Sequence, residues 1–284
     1  MTDLSVCYYN RGTNHTARLL ASIHSLRKHN STIRAFIFNA GDDNGIVRRI
    51  CKDRRLDIVE IPIPFHNYSK NSCYIAKSSL WRHSPTDQVL FLDADTLVLG
   101  DIGPAGWQWR WGSLLPTIAL TQFSDWTTHT KIISDRYSKW GAIDCPPVNM
   151  HFAITRSTAE PLPAVNTGVM LWHRESPVLE LWEALTREGR KQFIPDEIAM
   201  QLLLPGYEAE IAVFSDRHNF SPIYGRNDAP VILHGHGGKH VRPEAWPYWR
   251  EVFADCWRED IAGCRSWLPA GDEKLAAKMA DITS

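Results

Sequence analysis

Short apolar runs alternate with amphipathic stretches through the first hundred residues. Leu4 to Tyr9 predicts a strand, and Thr13 to His29 sets Leu19, Leu20, Ile23 and Leu26 at helical spacing behind a Thr13 or Asn14 cap. Ile33 to Phe38 predicts a second strand. Asp42 or Asp43 caps a predicted helix through Arg55 that carries Ile46, Val47 and Ile50. The strand Asp57 to Ile61 follows, closed by Pro62 and Pro64. After a polar loop, His66 to Ser72, a helix is predicted from Cys73 to His83. Val89 to Leu92 is apolar throughout, as a strand buried on both faces must be. Strands alternating with short helices predict an α/β domain: a right-handed, central, mostly parallel sheet with helices on both faces.

Beyond Ile102 the pattern loosens. Trp107, Trp109 and Trp111 alternate with polar neighbours, and the loop Phe123 to Trp140 is the exposed aromatic stretch best suited to contact an outside ligand such as a sugar ring. Val165 to His173 restores a strand. Ser176-Pro177 opens a helix to Glu188, with serine as cap and proline in the first turn. A further helix runs from Asp196 through Leu204, and Ile211 to Phe214 and Val231 to Leu233 complete the strands. Trp246, Trp249, Phe253 and Trp257 form an apolar stripe at helical spacing that packs back on the domain, or else makes a peripheral membrane contact. Asp272 to Ile282 reads as a final exposed helix.

The 31 basic and 32 acidic residues leave a net charge of -1, so no global field favours nucleic acid. No apolar stretch is long enough to span a bilayer, and MTDLSVCYYN has no basic region followed by an apolar one, so a cytoplasmic protein is expected. The six cysteines contain no Cys-x-x-Cys pair and suit free buried thiols better than zinc or disulfides. Asn14, Asn30, Asn67 and Asn219 each open an Asn-x-Ser/Thr triplet, read as chance.

The chemistry concentrates at Asp93-Ala94-Asp95, at the end of the Val89 to Leu92 run. In extended chain, positions i and i+2 point to one side, so both carboxylates converge on one point. Two hard oxygen ligands suit Mg2+ or Mn2+; the plainer reading is an Asx turn capping backbone amides. Ligands in such sheets lie beyond the carboxyl ends of the strands. Tyr8, Tyr9 and Asn10 end the first strand there, Tyr8 either stacking on a base or filling the strand face. Asn166-Thr167-Gly168 permits close backbone approach.

Four segments in order, FLDADTLVLGDI, NTGVM at 166 to 170, DE at 196 and 197, and HGHGGKH at 234 to 240, resemble the nucleotide-sugar-dependent glycosyltransferases with an Asp-x-Asp motif, closest to the glycogenin and bacterial galactosyltransferase group, family 8. The likeness covers about residues 4 to 240. It differs in Glu197 where the family has glutamine, in Lys239 one residue early, and in Pro243 and Trp246 set further on.

The resemblance implies a single GT-A-like, Rossmann-like domain. Residues 1–245 would be catalytic, with 1–102 the nucleotide-binding half, 103–245 the acceptor and metal half, and 246–284 a C-terminal helical extension. It implies transfer of a hexose from a UDP-sugar to a glycan, lipid or protein acceptor with retention. Asp93, Asp95 and His234, with His236 as alternate, would hold Mn2+ or Mg2+. Tyr8, Asn10, Lys77, Asp93, Ala94, Asp95, Asn166, Gly168, Gly237 and Lys239 would meet the donor, and Asp196 and Glu197 would be catalytic. Against this stand a solvated Lys77, and acids at 196 and 197 favoured simply by a helix dipole. Two rival functions are a haloacid-dehalogenase-like phosphatase, whose first motif Asp93 to Leu97 also resembles, and a sugar-nucleotide-binding protein without turnover.

Overall fold

A computed structural model of the protein describes residues 4–41, 44–62, 72–103, 118–122, 165–190, 194–207, 209–214, 216–223, 225, 228–236, 239–270 and 272–283. In chain order its elements are β1 (Leu4–Arg11), α1 (Thr16–His29), β2 (Arg34–Ala40), α2 (Ile46–Arg54), β3 (Asp57–Glu60), α3 (Ser72–Ser79), β4 (Gln88–Leu92), β5 (Thr96–Val98), β6 (Ile118–Gln122), β7 (Val165–His173), α4 (Pro177–Glu188), α5 (Pro195–Leu203), β8 (Ile211–Phe214), β9 (Ile232–His234), α6 (Trp246–Arg258) and α7 (Glu273–Thr283). This is the predicted α/β class, with mostly parallel strands flanked by helices. Two compact units divide the chain, and both are discontinuous: one is Leu4–Pro62, Leu92–Gln108 and Arg217–Ser284, the other Met1–Asp3, Ile63–Phe91 and Trp109–Asp216.

In the first unit the strand order is β3-β2-β1, all parallel, with Tyr8 opposite Ile37 and Ile37 opposite Ile58. The near-continuous burial of β1 and β2 matches their unbroken apolar runs. Leu19, Leu20, Ile23 and Leu26 of α1 are fully buried, as their spacing predicts. The helix starts at Thr16, later than Thr13, because Gly12 turns the chain at positive φ and the Thr16 hydroxyl bonds the Thr13 carbonyl. Likewise α2 begins only after Gly45, at φ 72; Asp42 and Asp43 lie outside the described residues. At the far end of α2 the Arg27 guanidinium donates to the Arg54, Arg55 and Ile33 carbonyls, satisfying acceptors that a helix end leaves open.

The aromatic stripe predicted after Glu244 is α6, and it packs on α1 with Trp249 and Phe253 fully buried. The terminal helix α7 is mostly exposed, as the sequence suggests, and is held by two residues of one face. Leu275 and Met279, four residues apart, are buried against α6.

In the second unit the order is β4-β7-β6-β8, with β6 antiparallel to β7 and parallel to β8. The predicted helix from Cys73 to His83 is α3 followed by a 3-10 turn, Leu80–His83. Ser176 caps α4, its hydroxyl accepting from the Val178 amide at 3.3 Å. Trp172 stacks on Phe91 at 5.8 Å, and Trp182 on the inner face of α4 is buried. The strand β6 has no counterpart in the sequence expectations. Trp107, Trp109, Trp111 and the loop Phe123 to Trp140 lie outside the described residues. Cys7, Cys51, Cys256 and Cys264 are buried free thiols, as expected, and Cys73 is a half-buried one. Among the described residues no helix is long and apolar enough to cross a membrane.

Candidate cation and donor site

The strand β4 delivers the chain into a tight turn at Asp93, whose carbonyl accepts from both the amide and the hydroxyl of Thr96, at 3.1 and 2.8 Å. Thr96 opens β5, which pairs antiparallel with β9 so that Thr96 lies opposite His234. That register sets the imidazole beside the two acids. His234 Nε2 is 3.2 Å from Asp95 Oδ1 and 3.9 Å from Asp93 Oδ2, and one ligand atom from each of the three residues lies within 4.8 Å of the others. His234 and Asp95 are buried and Asp93 half-buried. Two hard carboxylates and an imidazole in this space fit a divalent cation.

The orientation of His234 is fixed from behind. Asn219 Oδ1 lies 2.7 Å from His234 Nδ1, both residues being buried. An amide oxygen can only accept, so Nδ1 is the ring nitrogen that donates to Asn219, and Nε2 is aimed at the carboxylates, donating to Asp95 when protonated and free to offer a lone pair to a cation when not. Backbone bonds hold Asn219 in register: the Phe220 amide donates to the Ile232 carbonyl at 2.8 Å, and the His234 amide to the Phe220 carbonyl at 2.7 Å. Gly235 then donates to the Asp95 carbonyl at 2.6 Å. A Cβ at Gly235 would meet that carbonyl oxygen at 3.2 Å and the His240 Cβ at 3.4 Å. Its glycine therefore serves the approach of β9 to the acidic turn. His236, the alternate, sits at φ 32 with its ring stacked on His234 at 3.8 Å, outside the triad. Gly237 lies outside the described residues, and Lys239 begins a 3-10 turn with its amide bonded to the Gly235 carbonyl.

Arg18 of α1 reaches the other side of Asp95, Nη1 lying 3.4 Å from Oδ2, and its Nη2 contacts His15 Nδ1. Burial works to raise the Asp95 pKa, but His234 first, then Arg18 and His236, outweigh it and hold the carboxyl well below the ordinary range. Sequence reasoning missed both Arg18 and Asn219.

Two donor expectations on β1 resolve differently. Tyr8 is fully buried, its hydroxyl 3.3 Å from Ser22 Oγ, which is in turn 3.1 Å from Thr96 Oγ1. The ring has no exposed face to offer a base in this structure and fills the strand face. Asn10 is buried at the carboxyl end of β1, donating to Asn39 Oδ1 at 3.0 Å and the Gly12 carbonyl at 3.1 Å. Asn39 donates onward to Glu60 Oε2 at 3.1 Å. The ends of β1, β2 and β3 thus present a linked row of polar groups, and Asn10 Oδ1 has no partner among the described residues.

A second cluster lies in the other unit, around the start of β7 and of α5. Lys77 is buried, not solvated: Nζ is 3.3 Å from Asp196 Oδ2 and 3.3 Å from Thr167 Oγ1, and Thr167 donates to Asp196 Oδ2 at 2.7 Å. Asp196 is 1% exposed, and its Oδ1 has no partner among the described residues. Its backbone carbonyl accepts from the Trp182 indole at 2.8 Å. Next to it Glu197, half-buried, accepts from Asn166 Nδ2, while Asn166 Oδ1 accepts from the Gly168 amide at 2.8 Å. Burial, and after it Asp196, pushes the Tyr74 pKa up.

The sequence matches no protein-family model and no curated protein. Solved structures do share its fold. The galactosyltransferase LgtC, solved with donor and acceptor sugar analogs, aligns at a TM-score of 0.60 and 16% identity over 88% of this chain and 95% of its own. Mouse xyloside xylosyltransferase 1 aligns at 0.57 and 12% over 83% and 98%. The bifunctional glycosyltransferase WbbM aligns at 0.63 and 14% over 92% of this chain and 51% of its own length, so the chain spans about half of that protein. The fold is the one these glycosyltransferases have.

Proposed function

We propose that the protein is a cation-dependent glycosyltransferase that moves a hexose from a UDP-sugar to a glycan, lipid or protein acceptor, with retention at the anomeric carbon. The observation that carries this reading is the convergence of Asp93, Asp95 and His234 on one point, in a fold shared with LgtC and xyloside xylosyltransferase 1. Asp93, Asp95 and His234 would hold Mn2+ or Mg2+, which when bound would supply positive charge for a departing diphosphate. Asn219 Oδ1, 2.7 Å from His234 Nδ1, orients the imidazole for that task with Nε2 toward the two acids.

On this reading residues 1–245 form the catalytic region and 246–284 an extension. Asn10 and Ala94 belong to the nucleotide side, and Gly237 and Lys239 to the phosphates. Glu197, oriented by Asn166, is the acid we assign to the donor sugar, with Gly168 allowing close approach. Asp196 and Lys77 neutralise each other and fix the start of α5 beneath it.

The test is thermal unfolding with Mn2+ against a panel of nucleoside diphosphates and nucleotide sugars, repeated with a chelator. A ligand at a hundredfold excess over its Kd adds about 2.7 kcal/mol to native stability, a rise of roughly 5–10 °C for a chain of this size. The expected result is a chelator-sensitive rise with UDP and UDP-sugars that Asp95→Asn abolishes without loss of helix content. No shift with any nucleotide, or the same shift in Asp95→Asn, would overturn the assignment.

A further inference from the structure

Arg18 stands in the first turn of α1, the end of a helix at which the backbone dipole disfavours a cation, and no acid shares that turn. Its side chain is 15% exposed and folds toward Asp95. The Asp95 carboxylate is thereby divided: Oδ1 faces His234 and Oδ2 faces Arg18. Of the five N–H donors on a guanidinium, the described residues engage two, at Asp95 and His15. Asp93, Asp95 and Arg18 together carry one net negative charge when His234 is neutral. A divalent ion added to them leaves one net positive charge.

We infer that Arg18 is an anion-binding residue of this site, weakening the hold on a divalent cation alone and strengthening the hold on a diphosphate that binds with it. The inference rests on the proposed function and names a group for the diphosphate outside the Asp-x-Asp turn. The physical basis is one fixed charge acting on two ligands of opposite sign. Removing it relieves repulsion of the cation and withdraws attraction, and a planar pair of donors, from the diphosphate. An ion pair kept only for structure would lower stability when broken and leave no such opposition.

The experiment is isothermal titration of the whole protein, native, Arg18→Gln and Arg18→Lys, first with Mn2+ alone and then with pyrophosphate at saturating Mn2+. Circular dichroism confirms the fold of each variant. Arg18→Gln is expected to bind Mn2+ about five- to tenfold more tightly and pyrophosphate at least as much more weakly. Arg18→Lys, which keeps the charge and loses the fork, is expected to bind Mn2+ within about twofold of native and pyrophosphate at an intermediate strength. Native binding of both ligands, with Arg18→Gln moving neither affinity or moving both in the same direction, would overturn the role of Arg18 and leave the proposed function standing. A native protein that binds neither ligand would overturn both.

Discussion

Replacing Asn219 with leucine, which is close to it in shape, removes the acceptor 2.7 Å from His234 Nδ1 while keeping the volume. The imidazole then has a choice. With the proton on Nδ1, a buried donor is left unsatisfied; with the proton on Nε2, it donates to Asp95 Oδ1, 3.2 Å away, and no lone pair faces the triad. Either route costs about 1–3 kcal/mol, the penalty of a buried unmet hydrogen bond, which converts to roughly 10- to 100-fold in cation affinity. Mn2+ titration followed by electron paramagnetic resonance measures this directly, since only the free ion gives the sharp signal. Asn219→Asp, which retains an acceptor at the same place, is expected to bind Mn2+ at least tenfold more tightly than Asn219→Leu. A folded Asn219→Leu protein that binds Mn2+ within about twofold of native, or an aspartate variant as weak as the leucine one, would refute the reasoning.

Two further outcomes follow from burial. Lys77→Met leaves Asp196 charged, buried and without its cation, so urea unfolding should report a loss of about 3–5 kcal/mol, largely recovered by adding Asp196→Asn; a loss below about 1 kcal/mol would contradict the ion pair. Burial raises the pKa of Cys7, Tyr8, Cys256 and Cys264, the last to about 11. The unfolded chain therefore releases these protons first as pH climbs. Stability is fully present below about pH 9, the ordinary thiol value, and lost as pH rises through about 11. A urea midpoint that stays flat from pH 8 to 11 would sink this.

What the sequence disclosed was local. Continuous apolar runs place β1, β2, β4 and β7, period-3.6 spacing places α1, and Ser176-Pro177 marks the start of α4 to the residue. Asp93 and His234 were legible because each follows directly on an apolar run, where a strand hands its chemistry to a turn, and Asp95 because it stands two residues beyond Asp93. What stayed hidden depends on partners distant in the chain. Arg18 looks like a surface residue of an amphipathic helix until Asp95 is brought beside it. Asn219 sits in an Asn-x-Ser triplet with no local hint that its amide meets His234. For Lys77 the sequence offers a donor contact or a solvated side chain and not a buried ion pair, because the acid that neutralises it lies in another helix. Tyr8 was ambiguous for the converse reason: in a strand covered on both faces, position along the chain does not separate ligand-facing from core-facing rings. The late starts of α1 and α2 follow from left-handed backbone at Gly12 and Gly45, which hydrophobic periodicity does not register.

The pairing of β5 with β9 joins segments whose site residues, Asp95 and His234, are 139 positions apart. Closing so long a loop is entropically costly, so contacts of this kind tend to limit the rate at which a chain reaches its native state. Neither acid can offer a three-ligand pocket until that closure is complete. Cation uptake during refolding is thus expected to act as a clock for this long-range step, lagging the recovery of helical dichroism and marking the moment when two segments 139 positions apart have found each other.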